Sequence, residues 1–130
     1  MWAVVAYSRD PLAPGEGGVL VEAVPGLPKA VVDGSAAVDR FMVSREPLAL
    51  AGSEVAAKEF RYALSAGAGL DRIPLAPEEA GRPCLDQGQV LAVARLALAA
   101  ERHFGGGPQD LEWAFAPDGR LVLLQCRPLK

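Results

Sequence analysis

The chain has 130 residues, of which 51% are hydrophobic, and its formal net charge is -3. Its length fits a single domain, residues 1–130, and its apolar content excludes a disordered chain. It has no basic run and no apolar stretch of about 20 residues, so nucleic acid and a membrane are poor candidate partners. No secretory signal pattern begins the chain, so we expect a cytoplasmic protein in which Cys84 and Cys126 are free thiols, the alternative being a disulfide.

Strands are predicted along the first half of the chain, because apolar and β-branched residues concentrate at 2–7, 19–24 and 39–43. A short strand or helical turn is predicted at 30–32, before Asp33 and Gly34. The segment 46–82 has a weak pattern, with one strand predicted near 60–64 and a glycine-rich turn at 67–69.

One helix is predicted over 87–104, where apolar residues recur at helical spacing. Asp86 and Gln89 are placed as a capping box before it, and the run Gly105-Gly106-Gly107-Pro108 ends it. The last segment predicts a β-hairpin, with strands on either side of Pro117-Asp118-Gly119. Strands, a helix and a closing hairpin indicate an α+β fold with a largely antiparallel sheet and a packed helix.

The hairpin carries the residues with the clearest functional pattern. Strand alternation places Asp110 and Glu112 on one face of the first arm, and Gln125 and Arg127 on a common face of the second. Two carboxylates suit a hard divalent cation, and a guanidinium suits phosphate. The alternative is a solvated edge strand with two surface acids, and a surface arginine near the chain end.

Four further residues have a functional and a structural interpretation. Glu22 lies inside an apolar strand and faces either a site or solvent. Arg9 and Asp10 end the first strand, as an ion pair or a turn cap. His103 has no histidine or cysteine partner, so we interpret it as a favourable charge at a helix end rather than a metal ligand.

These residues stand in segments that resemble the ATP-binding domain of phosphoenolpyruvate synthase and pyruvate phosphate dikinase. The hairpin sequences QDLEWA at 109–114 and LVLLQCRP at 121–128 are similar to the family run PQDIEWA…G…LYLLQ-x-RP. Upstream, SRDP at 8–11, VEA at 21–23, VVDG at 31–34 and DRF at 39–41 also resemble family segments. The resemblance covers most of the chain.

The resemblance implies the C-terminal subdomain of an ATP-grasp fold that binds Mg²⁺ and ATP for phosphoryl transfer. Under it, Asp110 and Glu112 are metal ligands, Gln125 and Arg127 contact the phosphates, and Glu22 lines the nucleotide cleft. The match covers the second half of the family's ATP-binding region. We therefore expect a partner chain, or a second copy, to supply the other half.

One departure from the family supports a different function. Pro28 and Lys29 stand where the family has glycine and glutamate, so an acidic position has become basic. The alternative hypothesis is therefore a non-catalytic interaction or regulatory module that retains the fold.

Overall fold

The computed structural model describes residues 2–11, 17–28, 37–67 and 69–129. These residues form eight strands and two helices. In chain order they are β1 (Trp2–Tyr7), β2 (Val19–Pro25), β3 (Asp39–Arg45), β4 (Leu48–Glu54), β5 (Phe60–Leu64), β6 (Leu70–Pro74), α1 (Pro77–Ala80), α2 (Gln87–His103), β7 (Gln109–Phe115) and β8 (Leu121–Pro128).

The strands form two antiparallel sheets. The main sheet has the order β4-β3-β2-β1-β7-β8, so β1 is central and pairs with both β2 and β7. Strands β5 and β6 form a separate hairpin. The predicted α+β class, with a mostly antiparallel sheet, one main helix and a C-terminal hairpin, is confirmed.

Helix α2 packs its apolar side on one face of the main sheet. Its buried positions are Val90, Val93, Ala94, Ala97 and Glu101. The capping box is confirmed, because the Asp86 side chain accepts from the Gln89 backbone N–H while the Gln89 side chain accepts from the Asp86 N–H. The helix ends at His103, one residue earlier than predicted.

The β5–β6 hairpin covers one end of the opposite face of the main sheet. Tyr62 packs there with Ala3 and Val24, and the Leu27 N–H donates to the Tyr62 carbonyl at 3.0 Å. Gly26 makes this approach possible, because its φ is +79° and a Cβ at this position would clash with the Tyr62 carbonyl oxygen.

A buried carboxylate joins three parts of the chain. Asp39 is fully buried at the start of β3 and accepts hydrogen bonds from the Lys58 ammonium at 2.8 Å, the Ala56 N–H at 2.9 Å and the Cys84 N–H at 2.8 Å. Burial raises the pKa of the Cys84 thiol to about 12, and the charge of Asp39 adds to the increase. Asp39 therefore fixes the segment after β4, and the segment before α2, to the main sheet.

The sequence misses two strands and one helix of this fold. β4, β6 and α1 lie in the segment with the weak pattern, whereas the strand predicted at 60–64 is confirmed as β5. β2 and β3 extend one and two residues beyond their predicted ends. The prediction at 30–34 and the departure at Lys29 lie outside the described residues.

Candidate functional site

All five predicted site residues lie on strands of the main sheet. Along β7, Leu111, Trp113 and Phe115 are buried in the core with α2, while Asp110 and Glu112 alternate with them on the other face. We call this second face the polar face of the main sheet.

One cross-strand row on the polar face contains three of the predicted residues. Gln125 lies opposite Glu112, Glu112 lies opposite Val5, and Val5 lies opposite Glu22. Neighbouring strands are about 4.8 Å apart, so Gln125 is an immediate neighbour of Glu112, whereas Glu22 is two strands away, at roughly 10 Å. The three residues therefore lie in a line across β8, β7, β1 and β2, an arrangement that suits an extended ligand better than a single ion.

A β-bulge creates the pairing of Gln125 with Glu112. The register between β7 and β8 shifts between Glu112 and Trp113, so that Trp113 faces Leu123 while Glu112 faces Gln125. Leu124 is the extra residue. Without it, Gln125 would lie opposite Leu111, on the core face of the sheet.

The neighbouring row contains the other two predicted residues. Asp110 lies opposite Arg127 on β8 and opposite Tyr7 on β1. The Arg127 Nε donates to Asp110 Oδ2 at 3.1 Å, with the guanidinium side chain 65% exposed and the carboxylate side chain 16% exposed. The two residues line a surface pocket of about 430 Å³ together with Pro128 and Leu129.

Glu22 has a cationic partner that the sequence did not identify as a site residue. The Arg40 Nε donates to Glu22 Oε2 at 2.8 Å, and Arg40 also lies 3.9 Å from Glu54. The polar face therefore carries two arginine–carboxylate pairs, one between β3 and β2 and the other between β8 and β7. Each charge-assisted hydrogen bond favours a defined orientation of the carboxylate.

Tyr7 lies on β1, between these two arginine–carboxylate pairs. It was also missed by sequence reasoning. Burial raises the pKa of its hydroxyl, and the charges of Glu22 and Asp110 raise it further, against smaller opposing effects of Arg127 and Arg40. The alternation within β1 could have grouped Tyr7 with Val5. Only the pairing with β2 and β7 shows that these positions share a face with the acids.

The donor set on the polar face is incomplete as a metal site made of protein alone. Within the described ranges, no group of three or more His, Cys, Asp or Glu residues could hold a metal ion. Asp110 and Glu112 offer two carboxylates, and Gln125 offers an amide oxygen. This set fits Mg²⁺, which typically binds one or two carboxylates and completes its octahedron with water and substrate phosphates.

Comparison with known proteins identifies the family. The family model described as pyruvate phosphate dikinase, AMP/ATP-binding domain, matches residues 2–130. The chain belongs to this family. It is thus a nucleotide-binding domain of the phosphoenolpyruvate synthase type, and the resemblance of the sequence motifs is confirmed.

Individual relatives agree with this assignment. The chain is 28% identical over 132 residues to a probable phosphoenolpyruvate synthase of Pyrococcus horikoshii, covering 96% of this chain and 16% of that protein. It is 33% identical over 125 residues to an uncharacterized phosphotransferase of Bacillus subtilis, with 96% and 15% covered. A rifampicin phosphotransferase of Bacillus cereus is 26% identical over 125 residues, with 96% and 14% covered.

The chain spans between 14% and 16% of the length of these three relatives. Two of these relatives are named as phosphotransferases and one as a probable synthase. Both cysteines are free thiols, as predicted. In the part of the chain that the structure describes, no helix is long and apolar enough to span a membrane.

Proposed function

We propose that this chain forms one side of a Mg·ATP site for phosphoryl transfer, as the C-terminal subdomain of an ATP-grasp domain. The observation that carries the proposal is the pairing of β7 with β8, which sets Asp110 opposite Arg127 and Glu112 opposite Gln125 on one face. In this proposal Asp110 and Glu112 bind the metal, and Gln125 and Arg127 contact the phosphates. Bound Mg²⁺ would neutralise charge on those phosphates during transfer.

The ion pair between Asp110 and Arg127 supports this assignment of roles. A carboxylate and a guanidinium neutralise each other at 3.1 Å in the structure. A metal–polyphosphate complex carries the complementary pair of charges, so Asp110 can turn to the cation and Arg127 to a phosphate oxygen. The Asp110–Arg127 pair is then replaced by two others, Asp110 with the cation and Arg127 with the phosphate. Neither residue is left with an unpaired charge.

Glu22 is assigned to the nucleotide cleft, away from the metal. Its row places it two strands away from Glu112, with Val5 of β1 between them. Its partner Arg40 holds the Glu22 carboxylate at 2.8 Å. Glu22 is therefore suited to orient a neutral hydrogen-bonding part of the nucleotide.

We further propose that the opposite side of the site comes from elements outside these 130 residues, on the same polypeptide or on a partner chain. Among the described residues, only Asp110, Arg127, Pro128 and Leu129 line the surface pocket on the polar face beside the closing hairpin. The free thiols suit a cytoplasmic location, where ATP is available. We propose that those other elements also bind the phosphoryl acceptor.

Calorimetric titration with ATP, with and without Mg²⁺, tests the proposal. We expect the chain to bind Mg·ATP with a Kd of about 1 mM, and to lose this binding in the double variant Asp110→Asn, Glu112→Gln. Asp118→Asn is the matched control, because this exposed acid of the same hairpin pairs with Arg120 at 2.8 Å, at the turn. Absence of Mg-dependent heat from the parent chain, or unchanged binding by the double variant, would refute the proposal.

A second candidate, a non-catalytic interaction module, is favoured by one surface feature. The outer strand β8 exposes Val122, Leu123 and Leu124, each at 46% or more. If association is the function, sedimentation will show self-association that depends on concentration and is lost in Leu123→Ser, Leu124→Ser. A monomer at all concentrations that binds Mg·ATP would exclude this candidate.

A further inference from the structure

The buried serine at the end of β1 is bonded twice to the residue that precedes Asp110. Ser8 is fully buried, and its backbone N–H donates to the Gln109 carbonyl at 2.9 Å. Its hydroxyl oxygen accepts from the Gln109 N–H at 2.7 Å. Ser8 therefore satisfies both backbone groups of Gln109, the first residue of β7.

A buried carboxylate on α2 orients that hydroxyl. Glu101 is 3% exposed and is paired with Arg45 at 2.7 Å and with Arg9 at 3.2 Å. Burial raises the pKa of Glu101, but hydrogen bonds from Arg45 and Ser8 and the charges of both arginines outweigh it, so this pKa lies below its ordinary value. A charged Glu101 accepts the proton of the Ser8 hydroxyl.

The backbone of Ser8 is fixed by the same group of residues. Arg45 Nη1 donates to the Ser8 carbonyl at 2.6 Å while its Nη2 donates to Glu101. Because the hydroxyl proton is directed to Glu101, a lone pair of the hydroxyl is free to accept from Gln109. The contacts form one continuous chain from α2 through Ser8 to the start of β7.

We infer that Ser8 is the positioning residue for Asp110, holding the start of β7 so that the Asp110 carboxylate meets Arg127 on the polar face. The inference rests on the proposed function, in which Asp110 is a metal ligand. Ser8 itself lies on the core side of the sheet and touches neither the metal nor the nucleotide. It also gives a role to the first residue of the SRDP segment.

Loss of the hydroxyl would act locally. Without it, a buried backbone N–H of Gln109 has no acceptor, which favours separation of this end of β7 from β1. Asp110 is one residue away, whereas Glu112 is held farther along by its pairing with Val5. Removing a group that orients a metal ligand typically weakens metal binding by about tenfold or more.

The test compares Ser8→Ala with Ser8→Thr, which retains the hydroxyl. Ser44→Ala is the control, because the Ser44 hydroxyl donates to the Pro47 carbonyl at 2.6 Å and lies 3.2 Å from the Ala49 carbonyl, at the β3–β4 turn and away from β7. Three quantities are measured: the NMR signal of the Asp110 carboxyl carbon, hydrogen exchange of the Gln109 amide, and the affinity for Mn²⁺·ATP by electron paramagnetic resonance.

We expect Ser8→Ala to shift the Asp110 signal, accelerate exchange at Gln109 and weaken Mn²⁺·ATP binding about tenfold, while Ser8→Thr and Ser44→Ala resemble the parent chain. An unchanged Asp110 signal in folded Ser8→Ala overturns the inference, whatever the nucleotide result. A shifted signal in a chain whose parent binds no Mn²⁺·ATP supports the positioning of Asp110 and refutes the proposed function instead. If Ser8→Ala does not fold, Ser8→Val replaces it, because valine matches threonine in shape and lacks the hydroxyl; equal Asp110 signals in the valine and threonine variants then overturn the inference.

Discussion

The buried carboxylate of Asp39 is expected to be among the largest single contributors to stability. In Asp39→Asn the shape of the side chain is preserved and its charge is removed. Lys58, which is 3% exposed, then loses its charged partner and keeps only neutral acceptors, among them the Ala56 carbonyl at 3.1 Å. The amide has only one oxygen, so its NH2 group faces either the Cys84 N–H or the Ala56 N–H, where a carboxylate oxygen accepted before.

The size of the effect follows from these contacts. Breaking a buried ion pair on one side typically costs about 3–5 kcal/mol, because a charge is left buried without its partner. We expect Asp39→Asn to lower the free energy of unfolding by about 4 kcal/mol. For a chain of this length, that corresponds to a fall in Tm of about 12 °C.

Urea and thermal unfolding, followed by circular dichroism, measure the change. Asp118→Asn is the control, because its side chain and that of Arg120 are 58% and 77% exposed, and an exposed pair contributes about 0.5 kcal/mol. Adding Lys58→Met to Asp39→Asn should recover at least about 1 kcal/mol, because the unpaired ammonium is removed. A loss below about 1 kcal/mol in Asp39→Asn, or strict additivity of the two variants, would refute the reasoning.

Two further predictions concern the hairpin β5–β6 and the end of α2. Gly26→Ala should destabilise the chain by about 2 kcal/mol or more, because a side chain at φ +79° is strained. Gly67→Ala has no atom within 4 Å of the added carbon and should change stability by less than about 0.5 kcal/mol in the same urea titration. The lowered pKa of Glu101 means that its charged form stabilises the fold above its ordinary pKa of 4.5, and that this contribution is lost as the pH falls through the folded-state value. The stability difference between the parent chain and Glu101→Gln should therefore be constant near neutral pH and shrink below pH 4.5; a difference independent of pH down to 3 would contradict this.

The elements that the sequence predicted correctly are those whose signals are local. The Asp86 capping box and the helical spacing of apolar residues define α2, and the alternation in 109–115 defines β7. β4 was missed because Gly52, Ser53 and Glu54 are poor strand formers, and most of its residues are partly or fully exposed. Its strand conformation depends on pairing with β3, which is a non-local interaction.

The sequence predicted which residues belong to the candidate site. It could not predict how these residues are arranged in space. Alternation correctly groups Asp110 with Glu112, and Gln125 with Arg127, because each pair lies on one side of the bulge. Whether the two groups share a face depends on the single extra residue Leu124. Arg40 was missed for a related reason, since its contact with Glu22 requires the register of β2 with β3.

The alternation along β7 assigns core packing and surface chemistry to different residues of the same strand. Leu111 and Trp113 supply packing to the core, while their neighbours Asp110 and Glu112 face outward with little share in it. Outward-facing side chains on such a strand can be exchanged while the scaffold beneath them stays as it is. Under the proposed function, the domain is a good starting point for engineering, in which the preference for a cation or a phosphate chain is altered by changing only the outward-facing residues of β7.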